Sequence, residues 1–100
     1  QKKICLDSWR VKLMNGDTAV CVEGKRKDMK DILWHSNAVV ERVTNTQVKT
    51  SSGSIYLLQG KIDYVSMRKE GFPTKFIKKF EYGFSRKWKE CINELLEERR

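Results

Sequence analysis

In the stretch SWRVKLMN, residues 8–15, Trp9, Val11 and Leu13 alternate with Arg10 and Lys12. Period-2 alternation of apolar and charged positions predicts a strand with one buried face. NGD at residues 15–17 follows, and Asn-Gly supplies the positive φ that a tight hairpin turn requires. TAVCVEG, residues 18–24, is then the returning strand, ended by Gly24. KRKDMKD, residues 25–31, has no period and reads as a charged loop. Beyond it ILWHS, AVVERVT and TQVKTSSGSIYLLQGKI are rich in β-branched residues, and SSGS is a second hairpin turn. The pattern predicts five to seven strands before residue 63, arranged as a small antiparallel sheet, a sandwich or an open barrel.

From residue 63 the period changes. Asp63 is placed to cap a short helix over YVSMRKE, with Gly71 in the left-handed position that closes it. Pro73 suits the first turn of a second helix, PTKFIKKF, and Gly83 interrupts that stretch. Ser85 is placed to cap a longer helix, about residues 86–98. Trp88, Ile92, Leu95 and Leu96 share one of its faces, with Lys87, Glu90, Glu94, Glu97 and Arg99 opposite. The fold class expected is therefore α+β, mainly β, with a C-terminal amphipathic helix, in one domain spanning residues 1–100.

GFPTKFIKKFEYGFSRKWKE, residues 71–90, puts an aromatic at every fourth position: Phe72, Phe76, Phe80, Phe84 and Trp88. Four residues advance a helix by about 400°, so five such rings on one helix would fan over about 160°. That is too broad for one seam, and Pro73 and Gly83 also argue for at least two short segments packed on the sheet. Rings interleaved with cations resemble single-strand nucleic-acid platforms. Those platforms usually lie on sheet faces, however, and a core this small needs the about 150–250 Å² that each ring buries. The expectation is that these rings, with Trp9 and Trp34, form the core and their cationic neighbours the surface.

Composition sharpens this. The 100 residues carry a net charge of +8 and a pI near 9.6, which favours polyanions: DNA, RNA, acidic protein segments or anionic lipid. Residues 61–89 hold nine Lys or Arg against three Asp or Glu, so most of the excess lies in the aromatic-rich third. The candidate basic surface is Arg68, Lys69, Lys75, Lys78, Lys79, Arg86, Lys87 and Lys89. A second cluster, Lys25, Arg26 and Lys27, reads first as a solvated loop that Asp28 and Asp31 partly cancel. Leu95 and Leu96 give the last helix a means of self-association. Ser51, Ser52, Ser66 and Ser85 lie beside or near basic residues, as phosphorylation sites often do.

Cys5, Cys21 and Cys91 are odd in number and widely spaced, which fits free thiols better than a disulfide framework. One histidine, His35, and three scattered cysteines lack structural-zinc spacing, and no thiol has local activating company. No glycine-rich phosphate loop is present. No cofactor, metal or catalytic residue is expected. No apolar run approaches the roughly 18 residues needed to span a bilayer, so no membrane association is expected. The chain opens on Gln1 and closes on LLEERR, and is expected to be a segment of a longer protein.

LDSWRVKL, CVEGKR, WHSNAVVERV, VKTSSGSIYLLQGKID and GFPTKFIKKFEYGFSRKW occur in that order over residues 6–88. This ordered set resembles the SANTA domain, the SANT-associated module of chromatin proteins. One departure stands out: the family usually closes with Gly-Phe-Pro and then a tryptophan, whereas this chain reads Gly83-Phe84-Ser85 before Trp88. A serine offers a side-chain cap where proline would rigidify. The resemblance implies a non-enzymatic protein-interaction module of the nucleus. It further implies a centromere-licensing role that supports deposition of the centromeric histone H3 variant. The implied partners are centromeric or chromatin proteins, Mis-eighteen complex subunits among them. Direct binding of DNA or nucleosomes through the basic surface is the alternative.

Overall fold

The computed structural model describes residues 2–14, 16 and 19–99. Six strands precede three helices: β1 (Lys3–Met14), β2 (Ala19–Arg26), β3 (Ile32–His35), β4 (Val39–Thr44), β5 (Gln47–Thr50), β6 (Ile55–Leu58), α1 (Tyr64–Lys69), α2 (Thr74–Lys79) and α3 (Trp88–Glu98). The fold is α+β and mainly β. The strands form one sheet in the order β3-β2-β1-β6-β5-β4. β1 and β6 pair in parallel, Ile4 opposite Tyr56 and Leu6 opposite Leu58, so the sheet is mixed rather than antiparallel throughout. Such a pair needs a long crossover, and here the whole of β2–β5 supplies it.

β3 and β4 are the two outermost strands, yet only residues 36–38 separate them. A link that short spans at most about 14 Å, so the sheet curls until its edges approach, as an open barrel does. Ser36 fixes this corner: its amide donates to the Val22 carbonyl at 2.8 Å, and its hydroxyl accepts from the Val22 amide at 3.0 Å. Trp34 Nε1 donates to the Tyr56 hydroxyl at 2.9 Å, joining strands that are not neighbours in the sheet.

β1 begins well before the alternation read from residue 8. Its inward positions are Ile4 and Leu6, then Trp9 and Val11, so the pattern skips one residue at Ser8. Ser8 has φ 50, and the register with β2 shifts there: Asp7 lies opposite Lys25 but Arg10 opposite Glu23. This is a β-bulge, two residues facing one. The one is Gly24, which does not end β2 but sits inside it. A Cβ there would lie 2.7 Å from the Asp7 carbonyl oxygen. Of the first hairpin turn, Gly16 has φ 66, while Asn15 and Asp17 lie outside the described residues.

The helices cover one side of the sheet. Asp63 caps α1 by accepting the Ser66 amide at 3.1 Å, and Gly71, at φ 91, closes it. Pro73 is the N-cap of α2 rather than its first residue, its carbonyl taking the Phe76 and Ile77 amides. Ser85 does not cap α3. Its hydroxyl accepts the Lys87 amide and its carbonyl the Trp88 amide, forming a turn ahead of the helix. α3 packs Cys91 and Leu95 inward, with Trp88 and Ile92 half-buried beside them.

Phe72, Phe76, Phe80 and Phe84 are all buried and form a continuous ladder with Trp88. Successive centroids lie 5.2, 4.7, 5.2 and 5.6 Å apart, and Trp9 joins at Phe84 across 6.5 Å. Because the stretch is broken between α2 and α3, the rings stay in register where one helix would fan them apart. The four phenylalanines and Trp9 are core, while Trp88 and Trp34 pack half-buried against it.

Candidate interaction surface

The predicted cations fall into three groups. The first is neutralised: Lys75 Nζ lies 2.8 Å from Glu98 and 3.5 Å from Glu94 of α3, and Lys79 lies 3.9 Å from Glu94. Hydrogen bonding and attraction to Glu98 hold the Lys75 ammonium above its ordinary range. The second group faces elsewhere. Arg68 donates to the Phe72 carbonyl at 3.0 Å, and Lys69 borders a small polar hollow with Arg10 and Glu23. Lys25 is exposed on β2, and Lys27 lies 3.9 Å from Asp7.

Arg26 is not a surface cation. It ends the inward row of β2, 5% exposed, with its guanidinium held by Asp28 at 2.7 Å and stacked 4.6 Å from the Trp34 ring centre. The Arg26 hydrogen bond in turn holds the Asp28 carboxyl below its usual range.

The third group is concentrated. Arg86, Lys87 and Lys89 line an open groove of about 450 Å³ between β4 and the start of α3, with Val40, Glu41, Arg42, Trp88 and Glu90. Arg42 and Arg86 also border an adjoining hollow of about 270 Å³ that reaches Lys78 and Lys79. Among the described residues, Lys78, Arg86, Lys87 and Lys89 make no ion pair. Lys89 Nζ rests 5.5 Å from the Trp88 ring, a cation–π contact on a half-buried tryptophan.

Two bonds hold the groove's wall to the sheet. Phe84 N–H donates to the Asn45 carbonyl at 2.6 Å, and Arg42 Nε donates to the Phe84 carbonyl at 2.7 Å. Gly83 permits this approach, since a Cβ at its φ of 146 would run into Asn45 O. Sequence reading missed Arg42 and Val40. A lone arginine in a β-branched strand carries no spacing signal, and only the tertiary fold brings it to residues 86–89.

Residues 4–91 match the SANTA (SANT Associated) family. The chain belongs to that family. No solved structure matches it. As a SANTA domain it is a chromatin-associated interaction module of the kind carried by nuclear proteins. The SANTA domain's other candidate groups lie apart from the groove. His35 is exposed on β3, while the Cys5 and Cys21 thiols are pushed up by burial, away from the reactive thiolate. Among the described residues no three His, Cys, Asp or Glu are placed to hold a metal, and no helix is long and apolar enough to cross a membrane. The Ser66 hydroxyl is bonded to Asp63 at 2.7 Å. The inward face of α3 is occupied within the domain, leaving Leu96 half-buried.

Proposed function

We propose that this SANTA domain is a non-catalytic protein-interaction module that docks an acidic segment of a chromatin partner in the groove between β4 and α3. The observation that carries this reading is the uneven pairing of its cations. Arg86, Lys87 and Lys89 converge without carboxylate partners beside a half-buried tryptophan, while Lys75 and Lys79 are neutralised by α3. Aromatic and arginine side chains are the usual anchors of protein interfaces. The ordered motif set further supports membership of a centromere-licensing factor of the Mis-eighteen-binding, kinetochore-null-two kind, acting in deposition of the centromeric histone H3 variant. Its partners are then centromeric chromatin proteins or subunits of the Mis-eighteen complex.

A photo-cross-linking residue at position 87 in the full-length protein should capture centromeric chromatin proteins in nuclei. The same probe at position 69 should not, and Arg86→Glu with Lys89→Glu should abolish capture at 87. Equal capture at both positions, or capture that survives the double charge reversal, would sink this reading.

The second reading, direct DNA or nucleosome binding, draws on the net charge of +8. It is weaker because Glu41 and Glu90 sit in the same groove and Glu81 in its neighbour. A continuous phosphate backbone would meet those carboxylates, whereas a peptide with spaced acidic residues need not. Duplex binding that falls steeply from about 50 to 200 mM salt and vanishes in Arg86→Glu with Lys87→Glu would favour it.

A further inference from the structure

We propose that the outer edge of β4 accepts an extended acidic peptide as a seventh strand of the sheet, an inference that rests on the groove being a protein-docking surface. β4 is last in the strand order and pairs only with β5. Among the described residues, no backbone hydrogen bond reaches its outer side between Val40 and Val43; that side is first met at Asn45, whose carbonyl takes the Phe84 amide. From Phe84 the chain continues along the far wall of the groove to Arg86, Lys87 and Lys89. The edge therefore offers a row of unpaired amides and carbonyls facing a cationic wall.

An added strand would lie about 4.8 Å from β4, and its side chains would alternate between two faces. Val40, 48% exposed, lines the groove with the Trp88 ring, and together they provide apolar surface for one set. The cations provide for the other set if it is acidic. Main-chain hydrogen bonds would give affinity and the alternating side chains selectivity, as in other strand-addition complexes.

Charge selects this occupant over a second copy of the chain. Pairing β4 with its own copy about a twofold axis would bring two sets of Arg86, Lys87 and Lys89 together, in a molecule already at +8. The two register shifts within β4 leave Glu41 and Arg42 as the regularly spaced positions of the edge, so the added strand would be short.

The test uses the isotope-labelled 100-residue chain and a synthetic peptide of about eight residues alternating Val and Glu. Saturable binding should shift the amides of Val40–Val43 and the Trp88 indole, and Arg86→Glu with Lys87→Glu should remove it. Two N-methylated peptides then separate strand addition from charge docking, one blocked at every Val amide and one at every Glu amide. In a strand these amides face opposite sides, so one form should lose about tenfold or more in affinity, the worth of two edge hydrogen bonds, and the other much less. Equal affinity of the two methylated forms, retained or lost, overturns strand addition while leaving the acidic-partner reading in place. No saturable binding of the unmethylated peptide, alongside a salt-sensitive shift with duplex DNA, overturns both.

Discussion

The carboxylate of Asp63 accepts the Ser66 amide and hydroxyl at the start of α1, and the Arg10 guanidinium of β1 at 3.0 Å. Arg10 in turn holds Glu23 on β2, so one half-buried network ties the helical layer to two strands. Burial opposes the Asp63 charge, but the Ser66 and Arg10 contacts outweigh it and hold the carboxyl below its usual range. A carboxyl depressed in the folded state adds stability that is fully present above its unfolded value, about 3.9. That stability is lost as pH falls through the lower folded value. Asp63→Asn keeps a good N-cap but removes the charge, and should cost about 1–2 kcal/mol at neutral pH. Thermal melts should show the gap to wild type narrowing progressively below about pH 4; a gap undiminished in acid would mean the charge is not the cause. Gly83→Ala should be worse. It combines a left-handed backbone with a Cβ driven into the Asn45 carbonyl, and a loss of about 3 kcal/mol or more in chemical denaturation is expected. Gly53→Ala, strained but with open space around it, is the control that should cost less.

At the level of elements, the aromatic ladder holds the helical layer to the sheet. Phe80 is fully buried, stacked on Phe76 at 4.7 Å and edge-on to Phe84 at 5.2 Å. Phe80→Ala should cost about 3–5 kcal/mol. A double-mutant cycle of Phe76→Leu with Phe80→Leu should show coupling of about 0.5–1.5 kcal/mol, and strict additivity in urea melts would refute the stacking. These rings were legible in the sequence because their spacing, Pro73 and Gly83 together left only a broken, inward-facing stripe. The hairpins were legible for a similar reason, since turn residues act over a few positions. The first half of β1 was not. Its bulge at Ser8 resets the alternation, so Ile4 and Leu6 fall out of phase with Trp9 and Val11. Its parallel partner β6 lies some fifty residues away, and nothing local announces that pairing. Gly24 misled in the same way, reading as a stop when it is the single residue facing the bulge. Arg26 misled because the strand reads as ending at Gly24, whereas β2 runs on to Arg26 and its alternation turns that residue inward against the expectation set by its charge. Only the Trp34 ring and Asp28, both brought by the fold, decide between them.

Across the whole molecule, the sequence revealed which third of the chain carries the excess charge but not which cations are free. That depends on α3 laying Glu94 and Glu98 against α2, a contact between residues about twenty apart. Exposed pairs of this kind add little to stability, so their effect is on the electrostatic shape of the surface. With Lys75 and Lys79 quenched, the unpaired cations around the β4–α3 groove and its neighbouring hollow are Lys78, Arg86, Lys87 and Lys89. Glu94→Gln with Glu98→Gln should release the two lysines and leave the fold intact. Two negative charges fewer on that face should raise non-specific duplex affinity at low salt and steepen its dependence on log salt by about one to two. Docking of an acidic peptide should hardly change, because the groove between β4 and α3 keeps its own cations and its Trp88 contact. Side-by-side titrations of wild type and the double Gln variant, with DNA and with the Val–Glu peptide, check both halves. If peptide affinity rises as much as DNA affinity, the molecule attracts polyanions through its overall field. If DNA binding alone responds, the pairing by α3 is what confines recognition to one groove.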